Sequence, residues 1–65
     1  MDSHRVLAHV AREIDKLRGD QINFIVAGSV KDFAEYRHLC GVIRGLTLTE
    51  TFVNDLVQRM ENSDD

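Results

Sequence analysis

The chain of 65 residues contains no proline, no tryptophan and one cysteine, Cys40. Without proline, nothing in the sequence breaks the hydrogen-bond ladder of a long helix. With one cysteine, the chain cannot form an internal disulfide. No apolar run approaches the roughly 20 residues that a membrane-spanning helix requires, and the N-terminal residues lack the apolar core of a signal peptide. These absences favour a helical protein in a reducing, cytosolic setting.

The sequence also lacks a large excess of either charge. It has eight basic and eleven acidic residues, for a formal net charge of −3, and three of the acidic residues fall in the last five positions. The largest basic group is Arg12, Lys16 and Arg18. A group this small does not predict binding dominated by nucleic-acid phosphates, so nucleic acid is not the expected partner.

Residues that could carry chemistry are few and badly spaced for it. His4 and His9 are five residues apart, and His38 and Cys40 are two apart, whereas a structural zinc site needs four converging ligands. On a helix, side chains two positions apart point about 200° away from each other, so His38 cannot activate the thiol of Cys40. No phosphate-binding loop, nucleophile elbow or dinucleotide motif is present. We therefore expect no metal, no cofactor, no catalytic residue and no enzymatic activity.

The first half of the chain carries apolar residues at helical spacing, with Gln21 as the one polar interruption. Asp2 or Ser3 can cap the start of this helix by accepting a free amide hydrogen bond. Gly28 suits the left-handed position that follows a helix end. The pattern predicts a helix over about residues 3–27.

The second half repeats this spacing, with Glu50 as its polar interruption. Asp32 followed three residues later by Glu35 resembles a capping box, with Asp in place of the usual Ser or Thr. The pattern predicts a turn at residues 28–31 and a second helix over about residues 32–61.

A short connection between two helices implies an antiparallel hairpin. We therefore predict an all-α single domain over residues 1–65, with a frayed acidic tail at residues 62–65. A fold about residue 30 sets Leu17 opposite Ile43. The predicted hairpin seam comprises Leu7, Val10, Ile14, Leu17, Phe24, Tyr36, Leu39, Ile43, Leu46, Val53, Val57 and Met60.

An alternative interpretation breaks the second helix. Gly45 could end one helix and Thr47 could cap the next, with Glu50 closing a capping box. Three helices would result, and the last two could form a DNA-binding helix-turn-helix. Against this, the apolar spacing continues from Ile43 to Val53 without a change of phase, which favours one continuous helix.

Gly41 and Gly45 are unexpected in this helix, because each costs about 1 kcal/mol relative to alanine. Both lie about 200° from Ile43, on the far side of the seam. They would be tolerated on a solvent face or at a bend, but small residues four apart also let another backbone approach closely. The predicted partner interface comprises Ala34, His38, Gly41, Gly45, Leu48 and Phe52. A comparable outer row on the first helix comprises Ala8, Ala11, Gly19, Ile22 and Val26.

The stretch "VAGSVKDFAEYRHLCGVIRGL" resembles a group of very short reading frames found among the virion-morphogenesis genes of tailed, podovirus-like bacteriophages. The matching pattern comprises Glu35-Tyr36-Arg37, Gly41, Gly45-Leu46 and the charged helical end that runs to Glu61. It covers roughly the second half of the chain and the turn.

This resemblance implies a helical-hairpin protein that packs in multiple copies on portal, neck or capsid components. Its location would be the virion, or the host cytoplasm during assembly. The group has no catalytic or cofactor residues to transfer. A chain this short buries only about 60% of its surface on folding, so we expect oligomerisation or docking on a larger protein to complete the hairpin. The alternative function is a dimeric four-helix-bundle regulator that binds a host protein or RNA.

Overall fold

The computed structural model describes residues 2–62, which form an all-α hairpin of two antiparallel helices without strands. Helix α1 runs over Ser3–Val26 and helix α2 over Phe33–Asn62, so residues 27–32 connect them. These bounds differ from the predicted ones by one residue at most. Helix α2 continues through Gly45, so the continuous helix is confirmed and the break is wrong. The predicted tail lies outside the described residues apart from Asn62, which ends α2.

Acidic side chains cap the N-termini of both helices. The carboxylate of Asp2 accepts the amide of His4 at 3.2 Å, and that of Asp32 accepts the amide of Glu35 at 2.8 Å. The Glu35 carboxylate accepts the amide of Lys31 at 2.9 Å. The predicted capping box is therefore present, with its returning bond made to the residue before the cap.

Helix α1 ends in a Schellman motif built on a glycine. Gly28 has φ +76°, a left-handed backbone conformation that residues with a Cβ adopt only at a cost in free energy. Its amide donates to the carbonyl of Ile25 at 3.0 Å, and the amide of Ser29 donates to the carbonyl of Phe24 at 3.3 Å. These two bonds satisfy carbonyls that the helix end leaves free, so the prediction for Gly28 is confirmed.

The register of the hairpin differs from the predicted one. His4 Nε2 lies 2.8 Å from Glu61 Oε2, whereas a fold about residue 30 would have set Leu56 opposite His4, five residues earlier. Long side chains lean toward the N-terminus of their own helix. In this hairpin that direction points away from the turn on α1 and toward the turn on α2. A residue of α1 therefore contacts a residue of α2 that lies further from the turn than the α2 residue directly opposite its own backbone.

Within residues 2–62, the buried apolar side chains are Ala11, Leu39 and Val53. The predicted seam residues of intermediate exposure are Leu7, Ile14, Ile43, Leu46, Val57 and Met60. Four further predictions are wrong, because Val10, Leu17, Phe24 and Tyr36 are between 38% and 52% exposed.

The cause of the three errors on α1 is that this helix carries two overlapping stripes at helical spacing. The stripe that contacts α2 contains Ala11, Arg18 and Ile25, each next to one of the exposed residues of the other stripe. Ala11 was predicted to lie on the outer row of α1 and instead lies in the seam, where its small side chain lets the helices approach. Val26, in the same predicted row, is exposed.

The hairpin is an elongated rod rather than a compact body. Its radius of gyration is 15.0 Å and its extents are 52 × 17 × 14 Å, while a compact domain of this length would have a radius of gyration of about 11 Å. Neither α1 nor α2, over the described residues, has the length and apolarity that crossing a membrane would take. Two helices form only one layer, so both broad sides of the rod are open.

Candidate interaction surface

The six residues predicted to form a partner interface all lie exposed on α2. They follow one another at alternating intervals of four and three residues, so they form one stripe along the helix. We call this set the α2 stripe: Ala34, His38, Gly41, Gly45, Leu48 and Phe52. Leu48 is 62% and Phe52 64% exposed. Large apolar side chains this open are typical of surfaces that bind another protein when they occur in groups.

The glycines of the α2 stripe face empty space within the single chain. A Cβ placed on Gly41 or on Gly45 would have nothing within 4 Å. The hairpin itself therefore gives no steric reason for glycine at either position.

Three threonines next to the α2 stripe bond to the backbone of their own helix. The hydroxyl of Thr47 donates to the carbonyl of Ile43 at 2.9 Å, that of Thr49 to Gly45 at 2.8 Å, and that of Thr51 to Thr47 at 3.0 Å. Such bonds are the usual way in which threonine satisfies its hydroxyl inside a helix. Thr47 is therefore not a helix cap, and these hydroxyls need no water or partner.

One broad side of the hairpin is polar. A groove on this side is lined by Ala8, Ala11, Arg12, Asp15, Glu50, Asn54 and Val57. Arg18 crosses it, with Nη2 at 2.6 Å from Asp15 Oδ1 and at 3.5 Å from Glu50 Oε1. Nη1 of Arg18 also donates to the hydroxyl of Thr47 at 3.5 Å. This cluster ties the two helices together at mid-length.

The opposite broad side is apolar, which follows from the position of the groove. Leu17 lies two residues after Asp15, and Phe52 lies two residues before Asn54, so each is about 200° around its helix from a groove residue. Leu17 and Phe52 therefore share the side away from the groove. Residues seven positions apart share a face, which gives the set that we call the apolar side: Val10, Leu17 and Phe24 of α1, and His38, Gly45 and Phe52 of α2.

The sequence prediction thus found the α2 stripe and missed two features. It placed Val10, Leu17 and Phe24 in the seam, and it treated Arg18 only as part of a basic group. The sequence contains a second seven-residue repeat, Ala11, Arg18 and Ile25, but spacing alone does not show which of the two repeats contacts α2. In the hairpin the repeat that contains Ala11 contacts α2, which leaves the other stripe of α1 without a partner inside the chain.

The three histidines and Cys40 belong to no cluster of metal-ligating side chains in the part of the chain that the structure describes. Within residues 2–62, no group of three or more His, Cys, Asp or Glu side chains is close enough to hold a metal ion. Cys40 raises the pKa of Tyr36, first through a hydrogen bond to the phenol and then through its own charge, and Arg37 lowers it by a smaller amount. A raised pKa keeps the phenol protonated at neutral pH.

No family model, no curated protein and no solved structure matches this chain. Fold and surface together define a small helical hairpin that exposes apolar side chains of both helices on one side.

Proposed function

We propose that this chain is a non-enzymatic assembly protein, which joins a larger complex by packing α2 against another protein. The observation that carries the proposal is the α2 stripe, in which Leu48 and Phe52 are more than half exposed beside two glycines with open space around them. Burying a leucine or phenylalanine side chain contributes about 1.5–3 kcal/mol. The glycines allow a partner backbone to come close enough for such burial.

The setting that we propose is the particle of a tailed bacteriophage or its assembly intermediate, near the portal, neck or capsid. Its support is the resemblance of residues 26–46 to short reading frames among phage morphogenesis genes. Two residues of that pattern, Gly41 and Gly45, belong to the α2 stripe. The chain would then be present in several copies, in the virion or in the host cytoplasm during assembly.

The proposal is tested by quantifying the chain in purified particles of the phage that encodes it. We expect a fixed number of copies per particle, and loss of most copies in a phage that carries Leu48→Lys. Val26→Lys is the matched control, because Val26 is 78% exposed and lies outside the α2 stripe. Absence of the wild-type chain from particles, or equal loss in both variants, would contradict the proposal.

A second candidate function is a free dimeric regulator that binds a host protein or RNA. The observation that favours it is the apolar side, which two copies of the chain could cover without a larger partner. This candidate predicts that the chain is absent from particles and purifies from the cytosol with a host component. Binding to RNA would weaken steeply as the salt concentration rises, whereas docking on apolar surface would not.

A further inference from the structure

We infer that a second copy of this chain covers the apolar side, so that two hairpins form an antiparallel four-helix bundle. In this bundle α1 of each copy packs on α2 of the other, and both turns lie at the same end. The bundle covers His38, Gly45 and Phe52 of the α2 stripe, so it narrows the function proposed above: Ala34, Gly41 and Leu48 of each copy are left for contact with the larger complex. Association of the two copies does not itself require a phage particle.

The single chain leaves more surface open than a compact monomer would. Its accessible surface is 5083 Å², whereas a compact monomer of this mass would expose about 4,200 Å². The excess of about 900 Å² is close to the roughly 800 Å² that each partner buries in a standard stable interface. One second copy therefore supplies about the cover that this rod requires.

One pair of charged residues also selects the arrangement. Asp20 lies about 60° from Leu17, on the edge of α1 that faces away from the seam. On the corresponding edge of α2, Arg44 directly precedes Gly45 of the apolar side. Both charged residues are exposed.

Two hairpins can pack face to face with two-fold symmetry in two ways. If α1 packed on α1 of the other copy, Asp20 and Arg44 would lie at opposite margins of the interface. If α1 packs on α2 of the other copy, Asp20 of each copy lies at the same margin as Arg44 of the other and nearly level with it. Complementary charge therefore favours the second way, in which the two-fold axis runs parallel to the helices.

The register of the hairpin then sets which residues meet across the interface. Because the two-fold axis is parallel to the helices, the rotation does not shift any residue along the rod. Each residue of α2 in the second copy is therefore level with the same position of α1 as its counterpart in the first copy. The contacts of His4 with Glu61 and of Arg18 with Thr47 fix that level. They place Gly45 of the second copy between Leu17 and Phe24, and Phe52 of the second copy between Val10 and Leu17.

This placement gives the glycine at position 45 a packing role. Leu17 and Phe24 project from α1 one repeat apart, and a small residue between them forms the hole that such knobs require. Thr49 lies next to this contact and donates its hydroxyl to the carbonyl of Gly45 at 2.8 Å. Its burial would therefore leave no hydrogen-bonding group unsatisfied.

Sedimentation equilibrium on the full chain tests the inference. We expect a mass near twice the 7.4 kDa of one chain for the wild type and for the control Val26→Lys, and a monomer or an at least hundredfold weaker dimer for Leu17→Lys. A wild-type monomer at all concentrations would overturn the inference. So would a trimer, or a Leu17→Lys dimer as tight as the wild type.

A charge exchange tests the arrangement without risk to the core. Asp20→Arg should weaken the dimer about fivefold, since two symmetric exposed pairs are reversed, and adding Arg44→Asp should restore it. Failure of the second substitution to restore affinity would overturn the packing of α1 on α2. Both experiments use purified protein alone, so their failure is distinguishable from absence of the chain from phage particles.

Discussion

At the level of single residues, some positions are required by the hairpin fold and others are explained only by contact with a neighbouring molecule. Gly28 has a left-handed backbone that ends α1, so the hairpin itself requires glycine there. Gly45 lies inside α2 with open space around it, so the single chain would be more stable with alanine. The fold of the single chain therefore requires glycine at position 28 but not at position 45, and substitutions at the two positions should have different effects on stability.

Replacing Gly28 by alanine should lower the free energy of unfolding by about 1–2 kcal/mol, because a Cβ is strained in the left-handed region. Urea denaturation followed by circular dichroism measures the change. Gly19→Ala is the control, since α1 is helical there and a Cβ at Gly19 meets nothing within 4 Å. That control should be neutral or stabilising by up to about 1 kcal/mol. Equal effects of the two substitutions would contradict the role of Gly28.

Replacing Gly45 by leucine should have opposite effects on the helix and on association. Removing glycine from a helix interior favours the helix by about 0.8–1 kcal/mol, so the helix content of the dissociated chain should rise. Association should weaken, because leucine fills the hole between Leu17 and Phe24 of the second copy. Circular dichroism and sedimentation on the same samples measure both effects. Unchanged or tighter association would show that this face is not covered.

The two helices are held in register by polar residues at the middle of the seam. Glu50 is only 17% exposed in its side chain and lies 3.5 Å from Arg18. The Nε atom of Arg18 is buried without a hydrogen-bond partner. A seam that contains such a cluster is specific in its register and less stable than an apolar seam of the same volume.

Truncating Glu50 to alanine should destabilise the hairpin by about 1–2 kcal/mol, because Arg18 loses its carboxylate partner on α2 and keeps Asp15 of its own helix. Replacing both Glu50 and Arg18 by leucine should recover that loss, because the seam then contains only apolar contacts. A double-mutant cycle by urea denaturation measures the coupling. Glu61→Ala is the control, because Glu61 is 56% exposed in its contact with His4 and should contribute less than about 1 kcal/mol. A double variant no more stable than Glu50→Ala would contradict this account of the seam.

The helix bounds and caps could be predicted from the sequence because they depend on neighbouring residues. Asp2, Gly28 and Asp32 act within four residues of their own positions. Gly28 and Asp32 were assigned correctly, and Asp2 was one of the two caps predicted for α1. The register and the seam of α1 could not be predicted in this way. They depend on how side chains lean and on which of two overlapping stripes meets α2, and these are properties of the packed pair.

The α2 stripe is an intermediate case. Its six residues share a face because of helical spacing alone, so their position was predictable from the continuity of α2. Helical spacing does not predict which molecule covers that face, because this depends on contacts outside the single chain. The apolar side became recognisable only after the groove at Asp15 and Asn54 showed which side of the hairpin is polar.

The whole molecule is a rod with more apolar surface than one layer of two helices can bury. Within residues 2–62 only Ala11, Leu39 and Val53 are buried apolar residues. A core this small supplies little stability to a chain of this length. Stability of the fold and association with a neighbour should therefore be one equilibrium rather than two.

The helix content of the wild-type chain across a dilution series tests this claim most directly. Circular dichroism from high to low micromolar concentration, with the mass measured at each step, follows folding and association together. We predict that helix content falls as the dimer dissociates and that the melting temperature rises with concentration. A monomer that keeps its full helix content at every concentration would contradict the claim that a neighbour completes this hairpin.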